Sequence, residues 1–133
     1  MKLAAEEQFL VGAKEVFISS FPGNRDLGVI FEDDGTTGYF YAVNQGGESM
    51  IVVDALHIYN VDDVADKEIA VTGQIFWDEE ESAAAMIING YCHALFDFKR
   101  QAGFCRNAYP PSMTQQTEPR ELTDDVIQQY FAA

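Results

Sequence analysis

Gly28-Val-Ile-Phe-Glu-Asp-Asp-Gly-Thr-Thr-Gly-Tyr-Phe-Tyr-Ala-Val43 decides the fold class. Two apolar runs flank one polar turn, the pattern of a β-hairpin that specifies its own antiparallel pairing. A two-residue connection at Asp34-Gly35 and a four-residue one from Asp33 to Thr36 give the same expected register. It sets Phe31 opposite Gly38, Val29 opposite Phe40 and Gly28 opposite Tyr41. Each glycine then faces an aromatic ring that supplies the packing glycine lacks, so side chains reinforce the pairing that the turn begins.

Working outward, strand-like runs recur at Glu15–Ser20, Leu27–Glu32, Thr37–Val43, Ser49–Tyr59, Glu68–Trp77, Ser82–Ile88 and Tyr91–Phe98. The breaks between them carry turn chemistry, at Phe21-Pro-Gly-Asn24, Asn44-Gln-Gly-Gly47 and Asn89-Gly90. Connections this short favour antiparallel neighbours. The expected fold is therefore mainly β, with α+β as the alternative: about seven antiparallel strands in a meander or sandwich-like sheet, followed by a short helix. Asn89-Gly90 is the sharpest turn signal, because a type I′ turn needs positive φ at both central residues. It pairs Ile88 with Tyr91, Ile87 with Cys92, Ala85 with Ala94 and Ala83 with Phe96, and further out Glu80 with Lys99 and Glu79 with Arg100. Alternation then puts Cys92, Ala94, Phe96 and Phe98 on one face, and Tyr91, His93, Leu95 and Asp97 on the other.

The residues before Lys14 suit a short helix or a segment lying across the sheet. A single domain over residues 1–133 is expected, with a β-rich core at about 11–108, a proline-broken connector at 109–121 and a C-terminal helix at 122–131. Thr123 can cap that helix, Asp124 and Asp125 suit its positive end, and Val126, Ile127, Tyr130 and Phe131 share one side. Several strands are apolar on both faces, so something must cover the second one. A second sheet, the partner subunit of a homodimer, or the C-terminal helix would serve.

Composition narrows the function classes. The net charge of −14 comes from 22 acids against 8 bases. Nucleic acid and anionic membranes are excluded as expected partners, because phosphate is bound by neutralising it with Lys and Arg. A basic protein partner is compatible. No apolar run approaches the roughly 20 residues needed to cross a bilayer. Met1-Lys-Leu-Ala-Ala-Glu-Glu7 puts acids where a signal peptide would be apolar, so the expected location is cytoplasmic, with Cys92 and Cys105 as thiols.

No cofactor, metal or nucleophile motif is visible, and no catalytic set is assigned. Asp54 lies in an apolar run, where a carboxylate must be paired or shift its pKa; acceptance of backbone or turn hydrogen bonds is the favoured reading. His57 lies three residues on and points to the opposite face of an extended strand, which argues against a direct dyad. Cys92 reads as an inert core thiol beside Phe96. Cys105, beside Arg106 in an expected loop, is the candidate reactive thiol. The acidic runs Glu32-Asp33-Asp34 and Asp78–Glu81 lack the spacing of a calcium loop and read as solvated turn acids.

Three segments, Phe31–Ala42, Asp54–Val61 and Ile88–Phe98, together resemble the small bacterial proteins grouped as domain of unknown function 2251, over roughly Val11 to Pro111. The resemblance implies a small, soluble, bacterial single-domain protein and brings no activity, cofactor or catalytic residue with it. The leading expectation is a non-catalytic protein-binding module, immunity-type or regulatory, with Tyr39, Tyr41, Tyr59 and Tyr91 as candidate contacts. The alternative is a small-ligand-binding or hydrolase-like site around Asp54, His57 and His93, which requires at least two of those side chains to converge on a cavity.

Overall fold

The alternating runs become strands that pair with their neighbours in sequence, and a computed structural model describes residues 1–131. The strands are β1 (Lys2–Phe9), β2 (Val16–Ser20), β3 (Leu27–Asp33), β4 (Thr37–Asn44), β5 (Ile51–Asn60), β6 (Val71–Trp77), β7 (Ala83–Ile88), β8 (Tyr91–Asp97) and β9 (Ala102–Cys105). One helix, α1 (Asp124–Phe131), follows. The pairs between these strands are antiparallel and form two sheets, one ordered β2-β3-β4-β5 and the other β1-β6-β7-β8-β9. The fold is mainly β, as the alternation and short connections indicate.

The first hairpin forms, but two residues out of the expected register: Phe31 opposes Phe40, Ile30 opposes Tyr41 and Asp33 opposes Gly38. The turn sits one position later, with the Asp34 N–H bonded to the Thr37 carbonyl at 3.2 Å. Asp34 Oδ1 also accepts the N–H groups of Thr36 and Thr37, so the aspartate side chain fixes the turn. Aromatic cover of the glycines is real, yet the rings come from elsewhere. Phe21 lies over Gly28, and Tyr59, opposite Gly38 on β5, would stand 2.8 Å from any Cβ placed there.

Asn89-Gly90 makes the expected turn, with φ of 50° and 78°. Ile88 pairs with Tyr91 and Ile87 with Cys92, after which a bulge inserts His93 and Met86 meets Ala94. Beyond it Ala85 faces Leu95 and Ala83 faces Asp97, one position from the expected pairs. A bulge also re-aims side chains. Ala94 and Phe96 enter the core between the sheets, whereas Cys92 joins Leu95 and Ala85 on the far side, not Phe96. Lys99 reaches Glu80 as the charge pattern indicates, while Arg100 pairs with Glu118 and Glu79 with the Met1 amine.

Residues before Lys14 are neither helix nor crossing segment. Lys2–Phe9 is an edge strand on β6, so the strands begin well before residue 11. Its Ala, Glu and Gln content favours helix locally, and pairing with β6 plus burial of Phe9 overrides that weak preference. The four-residue β9 was equally hidden in the expected loop around Cys105.

Val29, Phe31, Phe40 and Leu56 of one sheet meet Ile75, Trp77, Met86, Ala94 and Phe96 of the other in a shared core. Each such large side chain contributes about 1.5–3 kcal/mol by leaving water. The far side of the five-stranded sheet is covered by Leu122 and by Val126, Ile127, Tyr130 and Phe131 of α1. Thr123 Oγ1 caps that helix by accepting the Val126 N–H at 3.2 Å. A second sheet and the helix thus each cover one of the two faces of the five-stranded sheet.

Candidate functional site

The outer face of the four-stranded sheet is left partly open. Cross-strand pairing builds it as two rows, Phe17–Glu32–Tyr39–His57 and Ser19–Ile30–Tyr41–Ala55. Residues directly opposite on neighbouring strands share a face, so alternation alone brings these groups together. Phe17 is 56% exposed, and Ile30, Tyr39, Tyr41 and His57 are half-buried. The Tyr39 and Tyr41 rings stack with centroids 5.7 Å apart and planes 15° from parallel. His57 meets Tyr39 edge-on at 5.3 Å, and exposed Tyr109 closes the row 6.1 Å beyond.

Amides hold the His57 ring. Asn107 Nδ2 lies 2.6 Å from Nδ1 and Asn60 Oδ1 lies 2.9 Å from Nε2, so each ring nitrogen meets an amide within hydrogen-bond distance. The Asn107 carbonyl in turn accepts the Tyr109 N–H, and the Tyr109 carbonyl accepts the His57 N–H.

At the centre of the face stands Glu32. Burial raises its pKa, and the charges of Asp34 and Glu15 raise it further, against a smaller lowering by the Tyr41 hydroxyl. Burial also raises the Tyr39 and Tyr41 hydroxyls. The four strands of this sheet contain no lysine or arginine. The result is an aromatic platform around a carboxylate that forms no ion pair among the described residues.

Asp54 is on β5 but faces inward, fully buried. Arg120 grips it with two bonds, Nη1 to Oδ2 at 2.9 Å and the other guanidinium nitrogen to Oδ1 at 2.7 Å. Hydrogen bonds from the Ala55 and Met113 N–H groups complete the carboxylate. Arg120 spends its remaining donors on the carbonyls of Ala55, Pro110 and Gly103. Backbone hydrogen bonding to Asp54 is present as read from the sequence; the arginine is an addition to it. Gly103 is required here, since a Cβ would stand 2.7 Å from Asp54 Oδ2. The group is a clasp between β5, β9 and the connector, with no donor left for a ligand.

Tyr59 turns inward, where its ring covers Gly38 and its hydroxyl donates to buried Asp33 at 2.7 Å. Burial and that bond push the Tyr59 hydroxyl far above its usual range. It belongs to the core and not to an exposed contact set. Asp33 also accepts the N–H groups of Gly12 and Gly35.

Tyr91 and His93 lie on the other sheet. Tyr91 is 49% exposed, with His93 edge-on at 4.8 Å and the Arg106 guanidinium 4.4 Å above its ring. A cleft of about 430 Å³ runs from Tyr91 and Cys92 to Ile127. Burial, and then Arg106, lower the His93 pKa to about 4, so the ring is neutral near pH 7. Among the described residues, no hydrogen bond or ion pair joins any two of Asp54, His57 and His93.

Cys105 is not in a loop. It ends β9 and is fully buried, its thiol directed at the Tyr109 carbonyl at 3.2 Å and at Asn107. Burial raises its pKa, while burial takes the Cys92 thiol up to about 11. Among the described residues, no group of three or more His, Cys, Asp or Glu side chains is placed to hold a metal.

Phe17, Glu32, Tyr109 and Arg120 were missed by sequence reasoning. Phe17 had a signal, an aromatic between inward Val16 and Ile18. Arg120 also had one, since a buried aspartate calls for a cation.

The family described as uncharacterized protein conserved in bacteria, DUF2251, matches residues 9–131. The chain belongs to that family. The DUF2251 chain is also 36% identical over 132 residues to a protein of Haemophilus influenzae named only as uncharacterized, covering 98% of this chain and 82% of that one. No solved structure matches it. Among the described residues, no helix is long and apolar enough to cross a membrane.

Proposed function

We propose that this protein is a non-catalytic protein-binding module, immunity-type or regulatory, that engages a basic protein partner through the outer face of its four-stranded sheet. The reading rests on one observation: partly open aromatics surround Glu32 on a face whose strands carry no lysine or arginine. Aromatic rings provide contact area with few rotors to freeze, as interface centres favour. The net charge of −14 steers a basic partner toward the surface.

The test is capture from the source cell at low and moderate salt, with the native chain beside Phe17→Ser and Tyr39→Ser variants. The expected result is a basic protein held by the native chain, lost from both variants and weakened by salt. Equal retention by native and variant chains, or no retained protein, overturns the reading.

A further inference from the structure

We propose that the Phe17–Glu32–Tyr39–Tyr41 patch is an arginine-recognition site: a partner's guanidinium lies on the stacked tyrosines and pairs with the Glu32 carboxylate. This deepens, and rests on, the reading of that face as the partner surface.

Geometry selects the chemistry. Cross-strand pairing sets Glu32 between Phe17 and Tyr39, so one carboxylate is flanked by rings on both sides. Tyr39 and Tyr41 present nearly parallel planes, 15° apart, to which a planar cation adds as a further layer. Guanidinium is planar, weakly hydrated and forked, and it stacks on a ring while giving two N–H groups to a carboxylate. Ammonium is a compact, strongly hydrated point charge that gains less from the same surface. Glu15 and Asp34 add negative charge beside Glu32 and leave it in need of a counter-charge.

The chain's own four arginines are each engaged elsewhere. Arg25 lies over Trp77 and bonds to the carbonyls of Leu27 and Glu81. Arg100 is held by Glu118 and Tyr130, Arg106 by the carbonyls of Cys92 and Leu122, and Arg120 by Asp54. A second copy brings the same engaged arginines and the same carboxylates, so charge disfavours self-association through this face. The occupant of complementary chemistry is a basic segment of another protein with an exposed arginine.

The test titrates the full ¹⁵N-labelled chain with end-blocked arginine and lysine tetrapeptides, following amide shifts. Saturable shifts are expected at Phe17, Glu32, Tyr39 and Tyr41, with the lysine peptide about tenfold weaker. Glu32→Gln should weaken arginine binding about tenfold, as loss of a charge-assisted pair predicts, while a control at exposed Glu68 changes nothing. Retained spectral dispersion shows that the variant is folded. Equal affinity for the two peptides, shifts scattered away from this patch, or an unaffected Glu32→Gln each overturn the arginine site. If a partner is captured by the native chain and lost with Tyr39→Ser while no arginine preference appears, the arginine site fails and the protein-binding reading stands.

Discussion

Asp54 and Arg120 show what a single buried charge demands. The sequence marks Asp54 as anomalous, since a carboxylate between Val53 and Ala55 has nowhere polar to go. Its partner lies 66 positions away, in a connector that reads as polar and extended, so no local pattern reveals it. Removing one member of a buried pair leaves an uncompensated charge, whereas removing both costs far less. Arg120→Met should therefore destabilise the protein by about 3–5 kcal/mol, and Asp54→Asn with Arg120→Met should recover most of that loss. Urea unfolding of the native, single and double variants measures both. A double variant no more stable than the single one would assign the loss to Arg120's carbonyl contacts instead.

Elements were legible where a turn states its own geometry. Asn89-Gly90 fixed the inner pairs of the β7–β8 hairpin because both residues tolerate positive φ. The β3–β4 hairpin slipped by two because such a slip leaves every side chain on its original face. Only a one-residue slip would have exposed Phe31 and Phe40, so the hydrophobic pattern was blind to the difference. The bulge at His93 was equally silent, since both faces of β8 are apolar and neither assignment breaks a rule. Helix α1 was legible from its cap and its apolar stripe, and Tyr130 adds a polar anchor to its docking beside the Arg106–Asp124 pair. Tyr130 Oη donates to buried Asp97 at 2.8 Å and accepts from Arg100 at 2.9 Å. Burial and the bond to Asp97 raise that hydroxyl to about 12, so it remains a donor throughout the physiological range. Tyr130→Phe leaves one oxygen of Asp97 short of a partner, at a cost of about 1–3 kcal/mol. Amide exchange in α1 should accelerate by about tenfold or more, since each 1.4 kcal/mol is tenfold, while β6 and β7 keep their protection. Unchanged exchange in the helix would place its anchorage in the apolar contacts and the Arg106–Asp124 pair.

Charge is a property of the whole molecule, and its distribution is less even than its composition. The bases lie on the five-stranded sheet, the loops and the connector, while the strands of the other sheet have none. Composition gave the excess of acids but not this segregation, because which bases are consumed internally depends on contacts between residues distant in sequence. The open aromatic face was legible as an apolar second face of β3 and β4; that it belongs to the sheet lacking a covering helix was not. A net charge of −14 repels itself, and the exposed ion pairs Lys99–Glu80 and Met1–Glu79 offset little of that repulsion. The buried Asp54–Arg120 pair is shielded from salt and does not respond to it. Screening should therefore remove more repulsion than attraction. As the Debye length falls from about 30 Å to about 8 Å on raising salt, the thermal midpoint should rise. Calorimetry at fixed pH across that range measures it, with sodium chloride as the salt so that specific exclusion effects stay small. A midpoint that falls instead would mean that local attractions outweigh the net charge, and with it the electrostatic argument for a basic partner.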